Sequence, residues 1–475
     1  MEKLILVTGA TGYIGNCLIP RLLEKGYRVR VLVRDPKRLR EHPWLLHVEV
    51  AQGDLLDAQT ITPALDHVDA AFYLVHNMSN GRHYEACETE SAHNFVTAAN
   101  TTNLQQIIYL GGLAHPEEKI GSHLLSRIQT GETLRLGRVP VTEFRSSFII
   151  GSGSISFEMI RYLTEQFPLL VGPRDLKNLT QPISVQDVLA YLLAALETPA
   201  CRGGIYEIGG SDVLSYAETM LSYARLRGLR RGMLLLPWMP VDLMAFLVGR
   251  LMPIPPRIAR ALISGIRGSS NVHHADADKV FPDIHPQSYP RSIQSALEQL
   301  SPTRLEPVWR NGASSSRIMT QGFFIVNREV RLDARPEVVY RVVSGMGGKS
   351  GWLYLNGLWQ LRGLLDRLAG GPGMRGRGSE GNLSENDIMD YYRVEALEPG
   401  RMLRLKAELK APGQGWMEWR AAPDGAGTLL SQTAFFAPRG LMGFLYWYLL
   451  WPVHALVFAG LIRAIARRVR ELKDM

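Results

Sequence analysis

The stretch Gly9-Ala10-Thr11-Gly12-Tyr13-Ile14-Gly15 stands directly behind the apolar run Leu4 to Val7 and opens an amphipathic segment. That placement restricts what the chain can fold into. Gly9 permits a tight turn off a strand, Gly12 lets backbone approach a phosphate, and Gly15 lets the next helix pack closely on a sheet. A strand, such a turn and a helix N-terminus together make an anion cradle, because free backbone N–H groups and the helix dipole point at one spot. A glycine pattern alone is weak, but here both flanking contexts are met. The loop is read as a pyrophosphate site formed by Gly9, Ala10, Thr11, Gly12, Tyr13, Ile14 and Gly15, with a purely structural glycine turn as the competing reading.

The residues around the loop extend this into a fold. Six β-rich runs, Lys3 to Thr8, Arg28 to Val33, Leu46 to Val50, Ala70 to Val75, Gln105 to Leu110 and Val141 to Ser146, alternate with helical stretches. This is the α/β pattern of a doubly wound parallel sheet, a Rossmann fold. From Gly151 to about Leu300 the pattern changes to helices broken by Pro168, Pro173, Pro182 and Pro237, with one late strand at Gly204 to Ile208. That region reads as a small substrate lobe laid over the sheet. At 475 residues the chain exceeds what one core usually supports. The run 302–321, with Asn311-Gly312-Ala313-Ser314-Ser315-Ser316, has linker composition and separates a domain at 1–301 from one at 322–475.

The second domain begins with a strand at Phe323 to Leu332 and a short helix at Pro336 to Val343. Strands at Met389 to Leu397, Met402 to Leu409, Trp416 to Ala421 and Thr428 to Phe436 follow, separated by turn residues, and a helix from about Leu441 to Leu472 closes the chain. This α+β order is that of a START-like helix-grip fold, in which sheet and helix enclose a cavity for apolar ligands. Trp416, Trp419, Tyr391 and Tyr392 are candidate wall residues, with ordinary core packing as the alternative.

Charge and cysteines exclude several functions. The formal charge of +8 comes from scattered patches, including Arg34 to Arg40, Arg225 to Arg231 and Arg463 to Lys473, without any nucleic-acid motif, so no nucleic-acid partner is expected. Cys17, Cys87 and Cys201 lack paired metal spacing, and His273-His274 with Asp276 and Asp278 reads as loop, so no metal is expected. The short apolar start does not read as an export signal, and a cytoplasmic location is expected. Leu441 to Ile462 carries no Asp, Glu, Lys or Arg and, at about 22 residues, meets the length of a membrane span. The arginines after it, the cytoplasmic domain before it, and Pro452 and His454 within it favour a cavity-lining helix. Peripheral contact with the inner face of the cytoplasmic membrane is the next reading.

The second strand ends on Arg34, where an NAD-specific site would place Asp or Glu. A guanidinium there grips the 2′-phosphate of NADP, with Lys37 or Arg38 as a second cation, so NADP is read over NAD, although Asp35 is adjacent. In Gly53-Asp54-Leu55 the carboxylate is placed to accept an adenine amino group and the leucine to pack on the base; a plain helix N-cap is the equal alternative.

These motifs, with Pro182-Ile183-Ser184-Val185-Gln186-Asp187-Val188 and Tyr206-Glu207-Ile208-Gly209-Gly210, resemble extended and atypical short-chain dehydrogenases/reductases over about the first 300 residues. Through Tyr73-Leu74-Val75-His76 the chain is similar to NAD(P)-binding YbjT-type proteins of bacteria. The resemblance implies cofactor contacts from Gly9, Thr11, Gly12, Tyr13, Ile14, Arg34, Asp54, Leu55 and Val75. It also implies a catalytic Tyr, a Lys four residues on and a Ser after the fifth strand. On that register His123 stands at the tyrosine position, Arg127 at the lysine position and Gly111-Gly112 at the serine position. Arginine holds its charge and does not shuttle protons; a histidine can, and a packing histidine is the alternative. Residues 322–472 resemble a helix-grip domain that accompanies some atypical members, through Gly347-Gly348-Lys349-Ser350-Gly351-Trp352, Leu358-Trp359, Arg375-Gly376-Arg377-Gly378 and Pro438-Arg439-Gly440-Leu441.

Three functions fit. The first is an NADP(H)-binding oxidoreductase-like protein that acts on or presents a hydrophobic small molecule such as a quinone, lipid or isoprenoid. The second is a catalytically silent NAD(P)-binding sensor or scaffold, at the membrane surface. The third, an epimerase or dehydratase acting on a nucleotide sugar, lacks its proton-transfer residues.

Overall fold

The computed structural model describes residues 2–39, 42–76, 84–115, 120–252, 256–298, 319–320, 322–378 and 383–473. The chain divides into two compact units, one holding residues 1–164 with 168–300, the other 165–167 with 301–475. The expected linker at 302–321 lies outside the described residues except for 319–320.

The N-terminal unit is a seven-stranded sheet. Its strands are β1 (Leu4–Thr8), β2 (Arg28–Val33), β3 (Glu49–Gln52), β4 (Ala70–Tyr73), β5 (Gln106–Gly112), β6 (Val141–Ser146) and β7 (Ile205–Ile208). They lie in the order β7-β6-β5-β4-β1-β2-β3, and every pairing is parallel. Helices α1 (Tyr13–Glu24), α2 (Ala58–Ala64), α3 (Tyr84–Ala99) and α4 (Ser122–Leu134) connect the strands. Two apolar clusters use opposite faces: Ile5, Val7, Phe72 and Ile108 on one, Leu4, Leu6, Ala71 and Ile107 on the other. All five β1 residues are buried, as a strand covered on both sides requires.

The chain runs outward from β1 through β2 to β3, then returns to the other side of β1 as β4. This reversal opens a crevice at the carboxyl ends of β1 and β4, the usual ligand position in such a sheet. Thr8 ties the two ends together: its Oγ1 donates to the Phe72 carbonyl at 3.1 Å and accepts from the Leu74 N–H at 3.2 Å.

Two strand expectations are corrected. Leu46 to Val50 is not a strand over its length, because Pro43–His47 forms a one-turn 3-10 helix that leaves Leu46 91 % exposed, and β3 starts at Glu49. Gly204 to Ile208 belongs to the main sheet rather than to the lobe, since β7 pairs with β6 from Ile205↔Glu143 to Ile208↔Ser146.

The C-terminal unit has its own seven-stranded antiparallel sheet, ordered β8-β9-β14-β13-β12-β11-β10. Its strands are β8 (Met319–Thr320), β9 (Phe323–Leu332), β10 (Ile388–Met389), β11 (Tyr392–Glu398), β12 (Met402–Ala407), β13 (Gly413–Asp424) and β14 (Gly427–Pro438). Helices α5 (Pro336–Ser344), α6 (Asn356–Leu368) and α7 (Gly440–Lys473) accompany it. The expected strand at Met389 to Leu397 is broken at Asp390, whose φ is +56° and whose buried carboxylate accepts from the Trp352 indole N–H at 2.8 Å. Helix α6 was not anticipated, although Leu358, Leu361, Leu365 and Leu368 recur at helical spacing; these leucines and Leu364 are exposed. Helix α7 runs unbroken through Pro452.

Thr8→Val is expected to lower the stability of the N-terminal unit by about 1–3 kcal/mol, because an isosteric methyl leaves the Leu74 N–H without its partner. Urea unfolding of that unit followed by far-UV circular dichroism checks this; an unchanged midpoint would show that the clamp is not needed.

Candidate functional site

The glycine loop has the geometry of a phosphate cradle. Gly9 sits at φ +72°, and a β-carbon there would lie 2.6 Å from the Leu74 carbonyl oxygen at the end of β4. The Gly12 N–H closes the turn on the Gly9 carbonyl at 2.9 Å. A β-carbon at Gly15 would lie 2.4 Å from the Gly9 oxygen and 2.9 Å from the Ala10 Cα, so only glycine lets α1 begin this close to the turn. Gly12 is the N-cap of α1, without a side-chain cap and without an acidic residue in the first turn. The first N–H groups therefore keep their capacity for an anion, and the residues present fit a pyrophosphate.

Arg34 ends β2 exposed, with Lys37 and Arg38 in the short 3-10 turn that follows. The Asp35 carboxylate is engaged locally, accepting the Lys37 N–H at 3.0 Å. At Gly53-Asp54-Leu55 the structure separates the two readings, because the N-cap of α2 is Asp57, which accepts from the Gln59 N–H. Asp54 accepts the Leu56 N–H through Oδ1 at 3.1 Å. Its Oδ2 has no partner among the described residues. Leu55 is buried in the cluster with Ile61 and Tyr73, so its side chain belongs to the core rather than to an exposed base-packing surface. Val75 is half-buried against the same cluster.

A cavity of about 340 Å³ adjoins the loop, and its lining includes Tyr13, Ile14, His76, Gly112, His123 and Arg127. The structure thus brings His123, Arg127 and Gly111-Gly112 to one place. A β-carbon at Gly112 would meet Leu124 Cδ2 at 2.7 Å and Arg127 Cδ at 3.4 Å, so a serine there would require these two side chains to shift. The Arg127 guanidinium donates to the Leu110 carbonyl and lies 5.6 Å from the centre of the Tyr109 ring, with its Nε buried without a partner among the described residues.

Two residues that the motif reading did not assign chemistry complete the group. His76 follows β4, and its Nδ1 lies 3.0 Å from Glu88 Oε1 on α3; Ser126 Oγ donates to the other Glu88 oxygen. The carboxylate assigns the proton to Nδ1 and leaves Nε2 as an acceptor. The His123 ring centre lies 5.3 Å from that of His76, and its Nδ1 is buried without a partner. Glu88 is 4 % exposed and His123 7 %. Burial, then the Arg127 charge, pushes His76 down to about 4. Burial, then His76 and Arg127, pushes His123 down to about 3. For Glu88 burial alone would raise the value, but the His76 hydrogen bond and charge, the Ser126 hydroxyl and Arg127 hold it at about 2. The sequence signal for His76 was its position at the carboxyl end of a central strand; Glu88, one of several acidic residues in the first half of α3, gave none.

A second polar patch on the wall joins Ser147, Ser270 and Tyr216. Ser147 Oγ lies 2.9 Å from Ser270 Oγ, which lies 2.9 Å from the Tyr216 hydroxyl, and Thr180 bonds to both serines at 2.6 and 3.0 Å. Among the described residues no group of three or more His, Cys, Asp or Glu side chains forms a metal-ligand set. His273 and His274 direct their backbone N–H groups to Glu207 at 2.7 and 3.0 Å.

Residues 9–131 match the family described as NAD(P)H-binding, and residues 324–461 match a family described as a protein of unknown function. Over 226 residues the chain is 28 % identical to NADH dehydrogenase (ubiquinone) 1 alpha subcomplex subunit 9 of Dictyostelium discoideum, covering 45 % of this chain. The chain spans 60 % of the length of that relative. The fold is similar to that of the triphenylmethane reductase of Citrobacter sp., with a TM-score of 0.51 at 19 % identity over 62 % of this chain and 99 % of that one. It is likewise similar to the NADPH-dependent quinone oxidoreductase of Escherichia coli, with a TM-score of 0.50 at 16 % identity over 61 % and 98 %. The N-terminal unit therefore has a Rossmann-type fold like that of these two reductases, with its first 131 residues matching an NAD(P)H-binding family.

His76, His123 and Glu88 each bind fewer protons folded than unfolded, so each contributes stability that is lost as pH falls. The histidine contribution is expected to decline from about pH 6.5 downward, and the Glu88 contribution below about 4.5. Denaturant unfolding of the N-terminal unit between pH 3 and 8 measures this. A double variant His76→Gln with His123→Gln should flatten the upper part of the profile, and an unchanged slope would place the acid sensitivity elsewhere.

Proposed function

We propose that the N-terminal unit is an NADP(H)-dependent oxidoreductase for a small apolar acceptor with a reducible carbonyl, enone or quinone group. The observation that carries this reading is the cavity shared by the dinucleotide loop, through Tyr13 and Ile14, with His76 and His123. Gly9, Gly12 and the first turn of α1 would hold the pyrophosphate, and Arg34 with Lys37 or Arg38 the 2′-phosphate, which is why NADP is preferred to NAD. The chemistry that the dinucleotide supplies when bound is hydride transfer; the chain supplies orientation and hydrogen bonds, and the proton comes from water. His123, neutral and lacking a partner for Nδ1, offers a ring nitrogen to the acceptor oxygen. His76, held by Glu88 through Nδ1, accepts a hydrogen bond at Nε2 and so orients a water at the wall. The mostly apolar walls exclude bulk water, and the Ser147–Ser270–Tyr216 hydroxyls orient a second oxygen. That solved proteins of this fold are named for quinones and triphenylmethane dyes supports an apolar acceptor.

The C-terminal unit is read as a START-like holder of a hydrophobic small molecule, supported by a cavity of about 330 Å³ lined by Tyr391, Tyr392 and Trp416. Trp419 is not part of that lining; it is buried, and its indole N–H donates to Gln432 at 3.1 Å. One observation favours a second reading, a silent NAD(P)-binding scaffold at the inner face of the cytoplasmic membrane. Met442, Leu445, Leu449, Val453 and Leu456 form an exposed apolar stripe on α7, with Leu449 75 % exposed.

Arg34→Ala is expected to weaken NADPH binding by about tenfold or more while changing NADH binding little, since it removes a charge-assisted contact to one phosphate. Calorimetry with both nucleotides checks this, and equal losses would refute the NADP assignment. With NADPH, a panel of quinones, enones and aromatic aldehydes should give turnover that His123→Gln reduces by about 10²-fold in kcat, the usual scale for removing a hydrogen bond to the developing oxyanion. Tight NADPH binding with no turnover on any of them would favour the scaffold.

A further inference from the structure

The cavity of the C-terminal unit contains a cation without an acidic partner. Arg362 projects from α6 into the lining, and its Nη2 lies 3.5 Å from the Tyr446 hydroxyl. Its Cζ lies 6.0 Å from the centre of the Tyr446 ring. Both distances are at the outer limit of what such contacts allow. The nearest acid along the helix, Asp366, is fully buried and engaged elsewhere: Oδ1 accepts from the Lys410 N–H at 2.7 Å and Oδ2 from the Gly373 N–H at 2.9 Å. No ion pair to Arg362 occurs among the described residues.

Beside Arg362 stands His454 of α7, whose Nδ1 is buried without a partner. Its ring stacks on Phe458 at 5.4 Å and lies 5.3 Å from Trp447. Burial, then the Arg362 charge, pushes the imidazole down to about 4, so it is neutral at physiological pH. The other walls are aromatic or aliphatic, including Trp359, Tyr391, Tyr392 and Phe436. The mouth is apolar too: Leu361 and Leu365 line the cavity and are 50 % and 52 % exposed.

A guanidinium against such walls loses hydration and, without an anion, is not compensated. We infer that this cavity binds an anionic amphiphile, with its carboxylate or phosphate head on Arg362, Tyr446 and His454 and its hydrocarbon tail among the aromatic walls. This deepens the reading of the C-terminal unit as a hydrophobic-ligand site, and rests on that unit alone. A volume of about 330 Å³ is at the lower end for small-molecule pockets, which matches a medium-chain tail.

The test is calorimetric titration of the full chain with decanoate, decyl phosphate and 1-decanol. Both anions, or one of them, are expected to bind at least about tenfold tighter than decanol, as a charge-assisted hydrogen bond to the head requires. The tighter anion identifies the source, a free fatty acid for the carboxylate or a phospholipid for the phosphate. Arg362→Gln should abolish the preference for anions, and Arg362→Lys should keep most of it. At Gly415, where an added β-carbon has 3.7 Å to Ala407 Cβ, Gly415→Leu should weaken all three ligands without altering their ratio. The wild-type ratio decides even where Arg362→Gln fails to fold. Decanol binding as tightly as the anions, or a folded Arg362→Gln that keeps the preference, would overturn the inference and leave the hydrophobic site standing. No binding of any of the three would overturn both.

Discussion

A β-carbon at Gly9 would lie 2.6 Å from the Leu74 carbonyl oxygen, and one at Gly15 would lie 2.4 Å from the Gly9 carbonyl oxygen. These two close approaches set the position of everything else at the dinucleotide site. The first brings the turn after β1 against the end of β4, at the point where the sheet changes direction. The second starts α1 immediately behind the turn, so that its uncapped N–H groups face the crevice rather than solvent beside it. Thr8, fully buried, holds both strand ends at the same height through one hydroxyl. Because β4 continues into Leu74, Val75 and His76, the same contact that shapes the phosphate cradle also places the imidazole at the cavity wall.

A second constraint follows from burying a carboxylate under that wall. Glu88, 4 % exposed, is tolerated only because each oxygen has a donor, His76 on one side and Ser126 on the other. Those donors come from different elements, the end of β4 and helix α4, so satisfying the carboxylate also fixes α4 relative to the sheet. Gly112 allows the fit by leaving room for Leu124 and Arg127. A bulkier residue at 112 would press on the Leu124 and Arg127 side chains, which share α4 with Ser126 and His123.

The sequence made the loop legible because its glycines are demanded by backbone collisions that no other residue avoids, and β1, β2 and β6 were legible because both faces are covered by apolar neighbours. Leu46 to Val50 misled because a proline turn can carry apolar residues in the open, and Gly204 to Ile208 because periodicity does not say which strand a strand will pair with. Arg127 and His123 could be placed by register along α4, but their partners could not. Glu88 lies 12 positions from His76 and 38 from Ser126, and only the crossover through α3 brings the three together. In the second unit the hairpins were marked by their turns, whereas α6 was missed although its leucines recur at helical spacing. Arg362 was invisible as a site residue, since its significance lies in the absence of an acid near it in space.

Apolar walls discriminate poorly between ligands of similar size, because one methylene is worth only about 1–3 kcal/mol. Selectivity in both cavities must therefore come from their few polar groups. In the first cavity these are neutral imidazoles and a hydroxyl cluster, which match an uncharged oxygen and penalise a ligand that leaves them unpaired. Arg127, the one guanidinium at that wall, is already held by the Leu110 carbonyl and the Tyr109 ring. In the second cavity Arg362 has no ion pair among the described residues, and Asp366, close to it in sequence, accepts from two backbone N–H donors. The two cavities, similar in volume, thus differ in their polar groups: the first sets two neutral imidazoles and a hydroxyl cluster beside a guanidinium held by a carbonyl, and the second sets a guanidinium without an ion pair among the described residues beside a buried imidazole.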